Sequence, residues 1–87
     1  MTLPADTLHR VTAIVAAVAQ LPVEEITPDS RLVEDLDLDS LQVVEIAVRA
    51  EEELGAPVDD ALLAEPETTV ARCARVVHEA SAEQART

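Results

Sequence analysis

The stretch Asp37-Leu38-Asp39-Ser40-Leu41-Gln42-Val43-Val44-Glu45-Ile46-Ala47-Val48-Arg49-Ala50-Glu51-Glu52-Glu53-Leu54-Gly55 decides the fold. Val43, Ile46, Ala47, Ala50 and Leu54 follow the i, i+3, i+4, i+7, i+11 spacing that lines one face of a helix. Asp39 is a good N-cap, and Gln42 sits three positions on, where a capping-box partner belongs. Gly55, the only glycine of the sequence, stands where a left-handed residue usually closes a helix, and Pro57 reinforces the stop. A helix from Ser40 to Leu54 is therefore expected, with Ser40 as its first residue.

Working outward, Leu8, Val11, Ile14, Val15, Val18 and Leu21 recur at helical steps with alanines between them, which predicts a helix from about Pro4 to Leu21, stopped by Pro22. A third run, Thr69 to about Ala80, puts Val70, Cys73, Ala74 and Val77 on one stripe, with Thr68 or Thr69 as N-cap. Asp59 or Asp60 can cap a short turn of helix over Ala61 to Ala64 that ends at Pro66, and the tail from Ser81 to Thr87 is expected to fray. The long connection from Pro22 to about Asp39 is not featureless. Val23, Ile26, Leu32, Leu36 and Leu38 can pin it to the bundle, and Thr27-Pro28-Asp29-Ser30 has turn chemistry. The expected fold is all-α, a four-helix bundle with three longer helices, a short third one and a long loop between the first two. It forms one domain over 1–87, ordered from about 4 to 80.

Composition narrows the function. The 87 residues carry 18 acidic against 6 basic side chains, a net charge of −12, which excludes a nucleic-acid binder that must neutralise phosphates. With 48% hydrophobic residues the chain still has the apolar surface to fold. The acidity is local: between Glu24 and Glu67 there are 15 acids and 2 arginines, a net of −13. Such a charge is either a solvated face or a docking surface for basic partners. No Phe, Tyr or Trp exists to stack on a base or flat cofactor. Cys73 alone cannot form an internal disulfide, and His9 and His78 lack metal-ligand spacing. No secretory signal or membrane span is apparent, so a cytoplasmic protein is expected.

Ser40 stands at the positive end of a helix dipole beside free N–H groups, where a phosphate ester is electrostatically favoured; the plainer alternative is a serine that only starts the helix. Asp35, Asp37 and Asp39 fit the first, third and fifth ligands of an EF-hand loop. Ser40 then takes the place of the loop glycine and Ile46 that of the bidentate Glu, so no metal site is expected. The same helix carries a second apolar row, Leu41, Val44 and Val48, flanked by Glu45, Glu51 and Glu52. Leaving large aliphatic side chains exposed forgoes roughly 1.5 to 3 kcal/mol each, and acids in the last turn oppose the dipole. An interface is one reading of this surface, and a wide core-facing stripe with ordinary glutamates is the other.

From about Leu8 to Val77 the sequence resembles an acyl carrier protein or thiolation domain. The resemblance rests on Leu32-Val33-Glu34-Asp35-Leu36, Asp39-Ser40-Leu41, Val44-Glu45, Glu51-Glu52-Glu53-Leu54 and Thr68-Thr69-Val70. It implies that Ser40 is esterified by phosphopantetheine, transferred from coenzyme A by a phosphopantetheinyl transferase, with Asp39 supporting the serine. The arm's thiol then carries acyl groups as thioesters between enzymes, and the protein itself catalyses nothing. The resemblance further implies that Leu41, Val44 and Val48 form the centre of a docking surface rimmed by Asp35, Glu45, Glu51 and Glu52. An acyltransferase, ketosynthase or other acyl-processing enzyme would meet it there. Cys73 falls on the inward stripe and reads as core.

Two residues depart from the family pattern. Asp37 stands where the family usually has glycine, and Arg49 where fatty-acid carriers often have a small or neutral residue. Together with the missing aromatics they point toward a polyketide or other specialised pathway rather than housekeeping fatty-acid synthesis. A monomeric, discrete carrier is expected. The competing reading is an unmodified carrier-like adaptor that binds a basic partner through the same acidic helix.

Overall fold

In the computed structural model, which describes residues 5–55 and 57–85, the apolar periodicity becomes four helices: α1 (Ala5–Ala19), α2 (Ser40–Leu54), α3 (Asp60–Leu63) and α4 (Val70–Ala85). α1 packs against both α2 and α4, and α2 also meets α3. The core is aliphatic: Val11, Ile14, Val15 and Val18 from α1 meet Val43, Ile46, Ala47 and Ala50 from α2, and Val70, Cys73, Ala74 and Val77 from α4. Leu63 of α3 is fully buried and closes one side. Among the described residues the backbone makes no strand, only an isolated antiparallel bridge between Arg31 and Thr69, and no helix is long and apolar enough to cross a membrane.

α2 has the expected bounds, and Gly55 closes it at φ 71°, its N–H donating to Glu51 O at 2.8 Å. α1 ends two residues before the expected Leu21. Gln20 adopts a left-handed φ of 59°, and Leu21 N donates back to Ala16 O at 3.1 Å, a Schellman closure built without glycine. Pro22 therefore follows a helix already finished, and Leu21 is exposed. The expected start at Pro4 lies outside the described residues.

α4 runs on to Ala85 rather than stopping near Ala80, so the segment expected to fray contributes more than a helical turn. Arg86 and Thr87 lie outside the described residues. The N-cap of α4 is Thr69, whose Oγ1 accepts from Arg72 N at 3.1 Å. Thr68 is instead buried and donates its hydroxyl to Leu62 O at 2.9 Å. Asp59 caps α3 by accepting from Ala61 N at 3.0 Å.

The α1–α2 connection holds a 3₁₀ turn at Val23–Glu25. Ile26, Leu32 and Leu38 are buried, and Val33 and Leu36 are partly buried against them. Val23 does not pin the loop: it points from the 3₁₀ turn into solvent. Backbone bonds do the rest. Leu32 N donates to Thr68 O (3.0 Å), and Val70 N and Ala71 N donate to Ser30 O and Pro28 O (2.9 Å each). The loop carbonyls thus satisfy first-turn N–H groups of α4 that no helix can satisfy for itself. This anchors the segment that delivers the chain to Ser40.

Candidate functional site

The start of α2 is fixed from three sides. The Asp39 carboxylate accepts from Gln42 N at 2.8 Å, and Gln42 Oε1 accepts from Asp39 N at 3.0 Å, completing the capping box. Gln42 Nε2 also donates to Val18 O at 3.4 Å, tying the box to the C-terminal turn of α1. Leu38 and Val43, on either side of the cap, are both buried in the same core, the positions of a hydrophobic staple. Ser40 is the first residue of α2 and is exposed. The box engages the N–H groups of Asp39 and Gln42 and leaves those of Ser40 and Leu41, at the positive end of the dipole, for solvent or an anion.

Two residues before the cap, Asp37 has φ 56°. The backbone turns there through a conformation that glycine adopts freely and that Asp and Asn enter more readily than other residues. This gives a physical reason for glycine at the equivalent place in the family. Asp37 is compatible with the bend that presents Ser40.

Leu41 is 79% exposed, Val44 41% and Val48 44%. They lie opposite the buried Val43, Ile46, Ala47 and Ala50, so the second apolar row is a surface feature and not a widened core stripe. The acids expected to rim it differ in their circumstances. Asp35 accepts from Arg31 N at 2.8 Å and from Arg31 Nε at 3.4 Å; the backbone bond first, and the guanidinium charge with it, hold its carboxyl below the ordinary value. Glu45 pairs with Arg49, one oxygen receiving Nη2 at 2.8 Å and Nε at 3.1 Å. Glu51 is half-buried, and its Oε1 accepts from Val58 N at 2.9 Å, which ties it to the α2–α3 connection. Glu52 is exposed and has no ion-pair or hydrogen-bond partner among the described residues.

Sequence reasoning missed these local partners. The Arg31/Asp35 and Glu45/Arg49 pairs carry a legible signal in their i, i+4 spacing. The Glu51 contact carries none, because it crosses the Gly55 turn. Leu62 of α3 is a further exposed apolar side chain that the reading passed over. Between α1 and α2 a shallow groove of about 300 Å³ is lined by Ala13, Ile14, Ala17, Arg49, Glu52 and Glu53. Cys73 is buried, and desolvation pushes its thiol up to about 12, which suits packing and not chemistry.

A serine hydroxyl exposed at a helix N-terminus, next to an apolar row on an acidic helix, is the arrangement expected of a carrier domain, and the chain belongs to the phosphopantetheine attachment site family, whose model it matches over residues 9–77. It is similar to the acyl carrier protein of Thermobifida fusca (strain YX), 40% identical over 55 residues that cover 63% of this chain and 70% of that protein. It is also similar to the meromycolate extension acyl carrier protein of Mycobacterium tuberculosis (strain ATCC 25618 / H37Rv), 43% identical over 54 residues, 62% of this chain. That match spans 47% of the mycobacterial protein, about half its length. A third relative, the acyl carrier protein of Helicobacter hepaticus, is 38% identical over 55 residues, 63% of this chain and 72% of that protein. The chain is accordingly a carrier and not a catalyst, and phosphopantetheine is its covalent prosthetic group. Proteins of this kind are modified by a phosphopantetheinyl transferase and act with acyl-processing enzymes.

Proposed function

We propose that Ser40 is the phosphopantetheine attachment point and that the chain works as a cytoplasmic carrier of acyl intermediates in fatty-acid, polyketide or related specialised biosynthesis. The observation that carries this reading is the placement of Ser40: exposed, first in α2, and flanked by a closed capping box. Asp39 supports the site by fixing the first turn, so that the Ser40 hydroxyl and the free N–H groups of Ser40 and Leu41 face the incoming phosphate together. When bound, the prosthetic group supplies a terminal thiol on a long flexible arm, which holds acyl groups as thioesters. The chain's own residues anchor that arm and present a docking face. Leu41, Val44 and Val48 form its apolar centre, Asp35, Glu45, Glu51 and Glu52 rim it, and of the acids on α2 Glu52 is free while Glu45 is paired with Arg49. An acyltransferase or ketosynthase with a basic patch is the fitting partner.

The test is intact mass after incubation with coenzyme A and a promiscuous phosphopantetheinyl transferase. Wild type is expected to gain one phosphopantetheine and Ser40→Ala none. Wild-type protein that stays unmodified with several transferases sinks the reading and leaves an adaptor that uses the acidic helix alone.

A further inference from the structure

The charge on α2 is uneven, and Arg49 is the reason. Glu45 is the first acid of the helix after Ser40, about 7.5 Å along the axis at 1.5 Å per residue. Arg49 lies a turn further on, yet its guanidinium reaches back to place two N–H groups on one Glu45 oxygen, at 2.8 and 3.1 Å. The positive charge therefore sits at the level of Glu45, beside the exposed Val44 and Val48. At this level the docking face has no net charge. The acids of the helix without an ion-pair or hydrogen-bond partner among the described residues, Glu52 and Glu53, begin about 18 Å along the axis from Ser40, where with the Arg49 side chain they line the groove against Ala13 and Ala17 of α1. A partner that brings a uniformly basic patch to Ser40 meets one cation and one anion where an unmasked acid would otherwise stand.

Resting on the docking reading above, we infer that Arg49 is a specificity-determining residue: its guanidinium cancels the acid nearest Ser40 on α2 and lowers the carrier's productive encounter with partners whose docking patch is uniformly basic. It touches neither the hydroxyl nor the phosphate, and it acts through the field at the docking face. The mechanism needs only that the charge stay near Glu45, so brief opening of a surface ion pair leaves it intact.

The experiment measures kcat/KM for modification of the apo carrier by a promiscuous phosphopantetheinyl transferase with a basic docking patch, at about 0.02 and 0.15 M salt. Arg49→Gln is expected to raise kcat/KM roughly two- to five-fold at low salt, mainly through KM, and to steepen the fall with salt. Arg49→Lys keeps the charge and should behave as wild type. Arg10→Gln makes the same change in net charge from α1 and should raise kcat/KM by less than half as much. Thermal unfolding separates a structural role: if Arg49→Gln lowers the melting temperature slightly and leaves kcat/KM and its salt slope unchanged, Arg49 only stabilises the helix and the inference is overturned. An equal gain from Arg10→Gln overturns it as well, since net charge alone would then suffice. Failure of the underlying docking reading looks different: kcat/KM would be independent of salt and would not respond to Leu41→Ala.

Discussion

Replacing Asp37 by glycine and by alanine tests how the approach to Ser40 is built. Asp37 sits at φ 56°, is exposed, and makes no side-chain hydrogen bond among the described residues. Both substitutions remove the same charge from between Asp35 and Asp39, so the relief of repulsion cancels when the variants are compared. What remains is backbone. A residue with a Cβ in the left-handed region costs roughly 1–2 kcal/mol, whereas glycine loses about 0.4–1 kcal/mol more chain entropy on folding. The glycine variant should therefore be more stable than the alanine variant by about 0.5–1 kcal/mol. For a domain of this size 1 kcal/mol moves the melting temperature by about 4–8 °C, so the two should differ by about 2–8 °C. Wild type should fall between them or near the glycine variant, because Asp enters this region more readily than Ala. Circular dichroism melts at neutral pH, checked by urea titration, measure the difference. An alanine variant as stable as the glycine variant would refute the claim that positive φ governs this position.

Two further outcomes follow from the side chains. Asp35 is held below its ordinary carboxyl pKa of 3.8 by Arg31, so its contribution to stability is present above about pH 4 and is lost as pH falls through its lower folded-state pKa. Asp35→Asn should flatten that part of the acid-unfolding curve, and a curve identical to wild type below pH 4 would show that the Arg31 contacts do not bind the charge. Cys73, its thiol pushed up to about 12 by burial, should resist alkylation in the native protein at pH 8 and react fully in denaturant. Rapid native labelling would contradict the packed α4 stripe.

Legibility in the sequence tracked how local the deciding chemistry is. Both ends of α2 were readable because each is marked within four residues, by Asp39 with Gln42 and by Gly55. The end of α1 was not, since its left-handed closing residue is Gln20, which carries no glycine signature, and Pro22 offered a plausible but later stop. The Ser81–Ala85 segment holds good helix formers and no stop signal, so helix propagation carried it past the point where its polar composition suggested a tail. Val23 looked like an anchor by hydropathy, but only the orientation of the 3₁₀ turn decides which of its side chains faces inward. At the site, the place of Ser40 follows from the cap signals, whereas helical spacing left Leu41, Val44 and Val48 as either a surface row or a wide core stripe, and their exposure decides for the surface. The Glu51 contact was not legible, because it depends on where the chain beyond Gly55 returns to place Val58 N.

These local partners separate two roles that a count of acids merges. The segment from Glu24 to Glu67 keeps its net −13 whether or not Arg31 and Arg49 are paired, since both arginines are already in that sum. Long-range attraction of a basic enzyme is therefore undiminished at low salt. At physiological ionic strength the screening length is about 8 Å, and what a docked partner senses is the charge within that radius. Along the axis of α2 the Glu45–Arg49 pair begins about one such length from Ser40, while Glu52 lies about two such lengths away. An enzyme that needs only the serine meets on the first turns of α2 an apolar row whose one acid is paired. One that lies along the whole helix reaches Glu52 as well, so on the docking reading proposed above contact length along α2, more than total charge, is expected to set which partners are held.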